Sequence, residues 1–241
     1  MCCCSTDGAN KFFTKHAARY AKRFQKKGLD KTSKLLAGAI GQTPLRSCTI
    51  LEVGGGVGGL HLTLLKSGAR SAFGVEVSEG MTIKSRELAA QMGLSDRVEY
   101  VVGDFVSMNG NVPCADIVIL DKVVCCYDDV ENLINKSLEK ARSMYALSYP
   151  RDAVLARLMF YFSAWLGTVL KWSFHPFYHD PAMIERVILT NSFSEVYTGR
   201  TVIWQVKVYQ RQADVRSQTR SGTLMKFNVA VDRASSPVCV P

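Results

Sequence analysis

At 241 residues, 47% hydrophobic and 21% charged, the chain suits one globular domain with a sizeable core rather than several. Its eight cysteines include a Cys2-Cys3-Cys4 run and a Cys125-Cys126 pair but no C-x-x-C, which argues against a zinc site. With no signal peptide, reduced thiols and a cytoplasmic protein are expected. The net charge of +9 is uneven: residues 11–34 carry nine Lys or Arg against the single acid Asp30. Such a face suits RNA, an anionic membrane surface or an acidic substrate, or is simply solvated. No RNA-binding signature accompanies it, which weighs against nucleic acid as a partner.

Residues 10–40 have helical periodicity, with Phe13, Ala17, Tyr20 and Phe24 on one stripe. Gly28 divides the segment, and Lys31 to Ile40 forms a second helix. After a loop, Cys48–Val53 reads as the first strand. Its apolar run reaches the acid Glu52, and Gly54, Gly56 and Gly58, two apart, follow the strand before a helix over 59–67 closed by Ser67-Gly68. Strand, glycine turn and helix together open a nucleotide-binding βαβ unit. Ser71–Val77 is the second strand. Its Glu76 lies twenty residues past Gly56, where a carboxylate accepts from ribose hydroxyls, with Val77 beside it. Ser78 caps a helix to about Met92, and Val98–Val102 is the third strand. Asp104 follows, placed to accept from an adenine amino group, with Phe105 against the base. Asp116–Asp121 is a buried fourth strand that delivers Asp121 to the carboxyl edge of the sheet.

These features resemble the class I S-adenosylmethionine-dependent methyltransferases over about residues 45–210. The residues that carry the resemblance are Glu52-Val-Gly-Gly-Gly-Val-Gly58, Gly74-Val-Glu76-Val-Ser78, Gly103-Asp104-Phe105 and Asp116-Ile-Val-Ile-Leu-Asp121. The resemblance implies an α/β, Rossmann-like three-layer sandwich with a seven-stranded, mostly parallel sheet whose last strand inserts antiparallel beside the fifth. It also implies S-adenosyl-L-methionine as cofactor and S-adenosyl-L-homocysteine as product. The remaining elements fit: a helix over 130–140, a fifth strand over 144–149, a long apolar helix over 153–172, and a helix opened by Asp180-Pro181. Strands Phe193–Tyr197 and Thr201–Tyr209 close the domain around a Gly199-Arg200 turn. Residues 1–40 are then a basic helical cover, 41–210 the methyltransferase domain and 211–241 a disordered tail. The long helix contains Arg157, so it covers substrate or lies at a membrane surface rather than crossing it.

The acceptor belongs beyond strands four and five, where two stretches stand out. One is Asp121-Lys-Val-Val-Cys125-Cys126-Tyr127, and the other is Phe174-His175-Pro-Phe-Tyr178-His179. Asp121, Cys125, Tyr127, His175 and His179 are the candidate catalytic groups. Tyr20, Cys126, Arg151 and Tyr178 are the candidate substrate contacts. Pro176 between the two histidines and the missing third ligand argue against metal. Within the family, the Phe12-Phe13 start and the Leu120-Asp121 to Tyr127 spacing resemble magnesium-protoporphyrin O-methyltransferases. Cys126 stands where that subfamily has a histidine, and Phe12 where it has a tyrosine. Both proton-handling groups are absent, which points away from a porphyrin carboxylate and toward a small-molecule thiol, sulfide or other soft acceptor. Two other readings are an RNA methyltransferase using the basic helix and a non-catalytic scaffold of the same fold. The sequence leaves the oligomeric state open.

Overall fold

The computed structural model describes residues 6–169, Phe174 and residues 176–212. Cys2–Cys4, His175, the last residues of the 153–172 helix and the 213–241 stretch read as a disordered tail lie outside the described residues. Helix α1 (Thr6–Lys27) ends at Gly28, whose φ of +64° glycine adopts without a Cβ clash. Asp30 then caps α2 (Lys31–Ile40), accepting from the N–H groups of Thr32 and Ser33.

Strands and helices alternate from there. In chain order they are β1 (Thr49–Val53), α3 (Gly59–Lys66), β2 (Ser71–Glu76), α4 (Glu79–Gln91), β3 (Val98–Val102), α5 (Phe105–Met108), β4 (Ala115–Asp121), α6 (Val130–Glu139) and β5 (Ala141–Pro150). Helices α7 (Val154–Val169) and α8 (Pro181–Thr190) precede the closing strands β6 (Phe193–Arg200) and β7 (Trp204–Arg211). The sheet runs β3-β2-β1-β4-β5-β7-β6, with β7 antiparallel to both its neighbours. The expected Rossmann-like architecture is therefore present.

The central strands are continuous apolar runs because both of their faces are covered. Side chains alternate in direction, so β4 sends Ile117 and Ile119 to one core and Val118 and Leu120 to the other. The first core packs under α1–α4, and the second under α6 and α8. Each fully buried aliphatic side chain contributes roughly 1.5–3 kcal/mol. The strand order reverses between β1 and β4, which opens a crevice at their carboxyl ends.

One detail differs from expectation. The closing hairpin turns at Thr201–Ile203, not at Gly199-Arg200, because Thr201 closes the turn itself. Its N–H donates to the Trp204 carbonyl (2.8 Å), and its Oγ1 accepts from Trp204 N–H (3.1 Å). Among the described residues, Cys48, Cys125 and Cys126 are free thiols. No described helix is long and apolar enough to cross a membrane.

Candidate active site

The glycine loop after β1 is built by three positive φ angles, at Gly54 (+64°), Gly56 (+57°) and Gly58 (+79°). Each has a different neighbourhood. A Cβ on Gly54 would meet Val123 Cγ2 at 2.5 Å, and one on Gly58 would strike Ser85 and His61. A Cβ on Gly56 would meet nothing within 4 Å. The loop is therefore packed at both ends and open in the middle, which leaves room for a ligand to lie against backbone.

Glu76, at the end of β2, fixes that open middle. Its Oε2 accepts from Gly56 N–H (2.8 Å) and its Oε1 from Ser78 N–H (2.9 Å). Burial pushes its carboxyl above the usual carboxylate range, against the pull of those two donors. Those bonds do not exhaust the roughly four lone-pair sites of a carboxylate, which leaves capacity for a ligand. Glu52 is buried and accepts from His61 through its backbone N–H (3.2 Å) and its Nδ1 (2.5 Å). His61 Nε2 in turn meets the Tyr100 hydroxyl at 2.9 Å. Glu52 thus holds the start of α3 against the loop, a part the sequence did not reveal.

A cavity of about 360 Å³ lies over this loop, between the carboxyl ends of the parallel strands and α1. Of the predicted cofactor residues, Glu52, Gly54, Gly56, Glu76, Val77, Asp104, Phe105 and Asp121 line it. Gly58 is absent from the lining and serves packing instead. Tyr20 from α1 lines the cavity, as do Cys126 and Tyr127.

Four other candidates do not line it. Cys125 is buried, its Sγ 3.5 Å from the Lys122 carbonyl, so of the Cys pair only Cys126 faces the cavity. His179 Nε2 donates to the Tyr127 carbonyl (2.7 Å), which spends that nitrogen on holding the loop, and burial keeps its pKa below the usual histidine value. Arg151 donates to the Thr201 carbonyl (3.1 Å) at the hairpin turn. Tyr178 sits under α7, its hydroxyl 3.3 Å from Asp152 and its ring beneath Arg157. Arg151 and Tyr178 thus lie away from this cavity. In each case, local backbone or ring partners engage the side chain away from the cavity.

The sequence also missed a charged cluster at the floor of the cavity. Asp121 Oδ2 accepts from Ser33 Oγ (2.5 Å) and Lys122 Nζ (3.2 Å), and its Oδ1 accepts from Ser148 Oγ (2.6 Å). Lys122 Nζ also donates to Asp30 Oδ2 (2.7 Å) and so ties the α2 cap to the sheet. Its backbone is strained at φ +61°. Burial works to lower the Lys122 pKa, but Asp121 and Asp30 outweigh it and hold it above the usual value. Burial likewise works against Asp30, yet the bond from Lys122 keeps its pKa below the usual one.

Lys122→Met is therefore expected to cost about 2 kcal/mol in denaturant unfolding. That is less than for a fully buried pair, since Lys122 and Asp30 side chains are 26% and 33% exposed. A loss under about 0.5 kcal/mol, typical of any surface substitution, would show the link to be idle. The contribution should fade as pH falls through the depressed Asp30 pKa, and again as pH rises through the elevated Lys122 pKa.

On the opposite wall the Tyr127 hydroxyl donates to Asp104 Oδ1 (2.6 Å). Asp104 also accepts from Val106 N–H (3.1 Å) and Ser107 Oγ (2.7 Å). Burial, followed by the Asp104 contact, pushes the Tyr127 phenol far above its usual pKa.

Residues 50–144 match the family model described as a methyltransferase domain. No curated protein matches the chain by sequence. Among solved structures, the chain is similar to magnesium protoporphyrin IX methyltransferase from Synechocystis PCC 6803, crystallised with bound SAH. Identity is 18% and the TM-score 0.66, over 85% of this chain and 98% of that one. It is also similar to an O-methyltransferase family protein from Burkholderia thailandensis (13%, TM-score 0.62, over 82% and 60%). A third match is the ribosomal protein L11 methylase from Lactobacillus delbrueckii subsp. bulgaricus (17%, TM-score 0.55, over 76% and 80%). These likenesses agree on the fold, and the family model covers the glycine loop, Glu76, Asp104 and Asp121. Residues 50–144 thus match a methyltransferase domain, set within a Rossmann-like fold.

Proposed function

We propose that this enzyme transfers the methyl group of S-adenosylmethionine to a small organic acceptor, and that the acceptor is a soft nucleophile such as a thiol or sulfide. The residues fit the donor. Gly56 leaves open space beside its backbone, Glu76 stands at the end of β2, and Asp104 and Phe105 stand at the next strand end. When bound, S-adenosylmethionine supplies a sulfonium methyl that an aligned nucleophile displaces. The glycine loop, Glu76 and Asp104 would hold the nucleoside, while α1 and Tyr127 line the cavity and restrict the acceptor's approach.

The observation that carries the acceptor reading is the state of the acids. Every carboxylate lining the cavity already accepts a hydrogen bond: Asp30 from Lys122, Glu52 from His61, Glu76 from Gly56, Asp104 from Tyr127, Asp121 from Ser148 and Asp128 from Asp129 N–H. The Tyr127 phenol is held protonated, and His179 is committed to a carbonyl. Among the described residues, no histidine lines the cavity to serve as a base. An acceptor that ionises near neutrality, as a thiol does at about pH 8.5, needs none. Cys126 and the rings of Phe13 and Phe24 give it a polarizable, apolar wall.

Initial rates with sulfide, methanethiol, phenols and amines, measured side by side, test this. Sulfur acceptors should react fastest, with rates rising about tenfold per pH unit up to the thiol pKa. Transfer confined to oxygen or nitrogen acceptors would end the soft-acceptor reading and leave methyl transfer standing.

A further inference from the structure

We infer that the outer face of α7, with the basic surface of α1 beside it, docks this enzyme on an anionic lipid surface. Val154, Leu158, Tyr161, Phe162, Trp165 and Val169 fall at i, i+4, i+7, i+8, i+11 and i+15, which is one stripe of a helix. They are 58–74% exposed, although each is a large apolar side chain. The inner side of α7 is anchored. Phe160 packs edge-on to Tyr178 and Trp204, and Arg157 lies over Tyr178 and pairs with Asp152. The stripe is thus the outward face of a docked helix. A contiguous exposed apolar patch of this extent marks an interaction site.

Charge chooses the partner. Helix α7 contains no acid, and its one charged residue is Arg157. Phe174, the next described residue after α7, packs on the Phe12 and Phe13 rings of α1 (centroids 5.5 and 5.2 Å). From that point α1 carries Lys11, Lys15, Arg19, Lys22, Lys26 and Lys27 exposed, with Asp7 as its only acid. An apolar stripe next to a cationic helix repels a second copy of itself and is attracted by anionic headgroups. Trp165 and Tyr161 are the side chains that settle at the headgroup level, apolar in body and polar at the tip. The helix, 16 residues long, lies in the interface and does not span it.

Co-sedimentation of the full chain with phosphatidylcholine vesicles, with and without phosphatidylserine, tests the assignment. The chain should pellet with the anionic vesicles, and Phe162→Ser/Trp165→Ser should bind roughly tenfold more weakly or worse. Lys11→Glu/Lys15→Glu should erase most of the preference for phosphatidylserine over neutral vesicles. Both variants change exposed side chains outside the cavity lining, so their S-adenosylhomocysteine affinity should match the parent's. Two results would overturn the inference: no binding to anionic vesicles, or equal binding by the Phe162/Trp165 variant. If that variant instead dissociates a dimer in sedimentation velocity, with no vesicle binding by the parent, the stripe belongs to a second copy of the chain.

Discussion

Glu76→Ala is expected to weaken S-adenosylhomocysteine binding by about a hundredfold or more in titration calorimetry, since a charged, desolvated hydrogen-bonding group is worth roughly 2–5 kcal/mol to a ligand. Two losses combine. The substitution removes the ionised acceptor that the proposed nucleoside contact needs, and it releases Gly56 N–H and Ser78 N–H, whose bonds to Glu76 shape the loop. Burial raises the Glu76 pKa in the free protein, and this fixes the sign of the pH response. Ligand hydroxyls require the ionised form, so affinity should be full above the raised pKa. It should fall as pH drops through it, by up to about tenfold per unit. Stability of the free protein runs the other way. A raised folded pKa adds stability below the unfolded value, and that stability is lost as pH rises through the folded one. The alanine variant should lose both dependences. An unchanged affinity in Glu76→Ala would remove this residue from the cofactor site.

What was legible in the sequence divides along the same line as the site. The strands were readable because a parallel sheet buried on both faces needs unbroken apolar runs, and Ile117–Leu120 is one. The donor half was readable because glycines two apart and an acid twenty residues later have few other structural uses. The Lys122 cluster was not, because Asp30, Ser33, Asp121 and Ser148 come from three distant parts of the chain and meet only when α2 docks on the sheet. His179 looked like chemistry because it is a histidine in an aromatic loop. Its ring nitrogen goes to a backbone carbonyl, which spacing cannot foretell. His61 sat unnoticed between Leu60 and Leu62 in an apolar helix, although it holds the first acid of the motif. For α7 the apolar stripe was written in the sequence, but which side faces solvent depends on Phe160 finding Tyr178 and Trp204.

Gly58→Ala is expected to cost about 2–4 kcal/mol, seen as a lower midpoint in denaturant unfolding. About 1–2 kcal/mol comes from placing a Cβ at φ +79°, and the rest from overpacking. The new methyl would overlap Ser85 Oγ and lie 2.7 Å from His61 Nε2. Ser85 Oγ has no hydrogen-bond partner among the described residues and can swing aside cheaply. The His61 ring cannot, since Glu52 holds one nitrogen and the Tyr100 hydroxyl the other. Burial pushes the Tyr100 pKa up to about 12, so its hydroxyl stays protonated in that chain of bonds. Ser85→Ala should therefore restore only a minor part of the loss. Gly56→Ala provides the contrast. Its φ of +57° carries a similar strain, but nothing lies within 4 Å of its Cβ, so it should cost only about 1–2 kcal/mol while its methyl intrudes on the cavity. One glycine should then be read mainly in stability and the other mainly in S-adenosylhomocysteine affinity. Equal stability losses in the two variants would mean that the Glu52–His61–Tyr100 chain yields easily, and that Glu52 belongs with the ligand rather than with the fold.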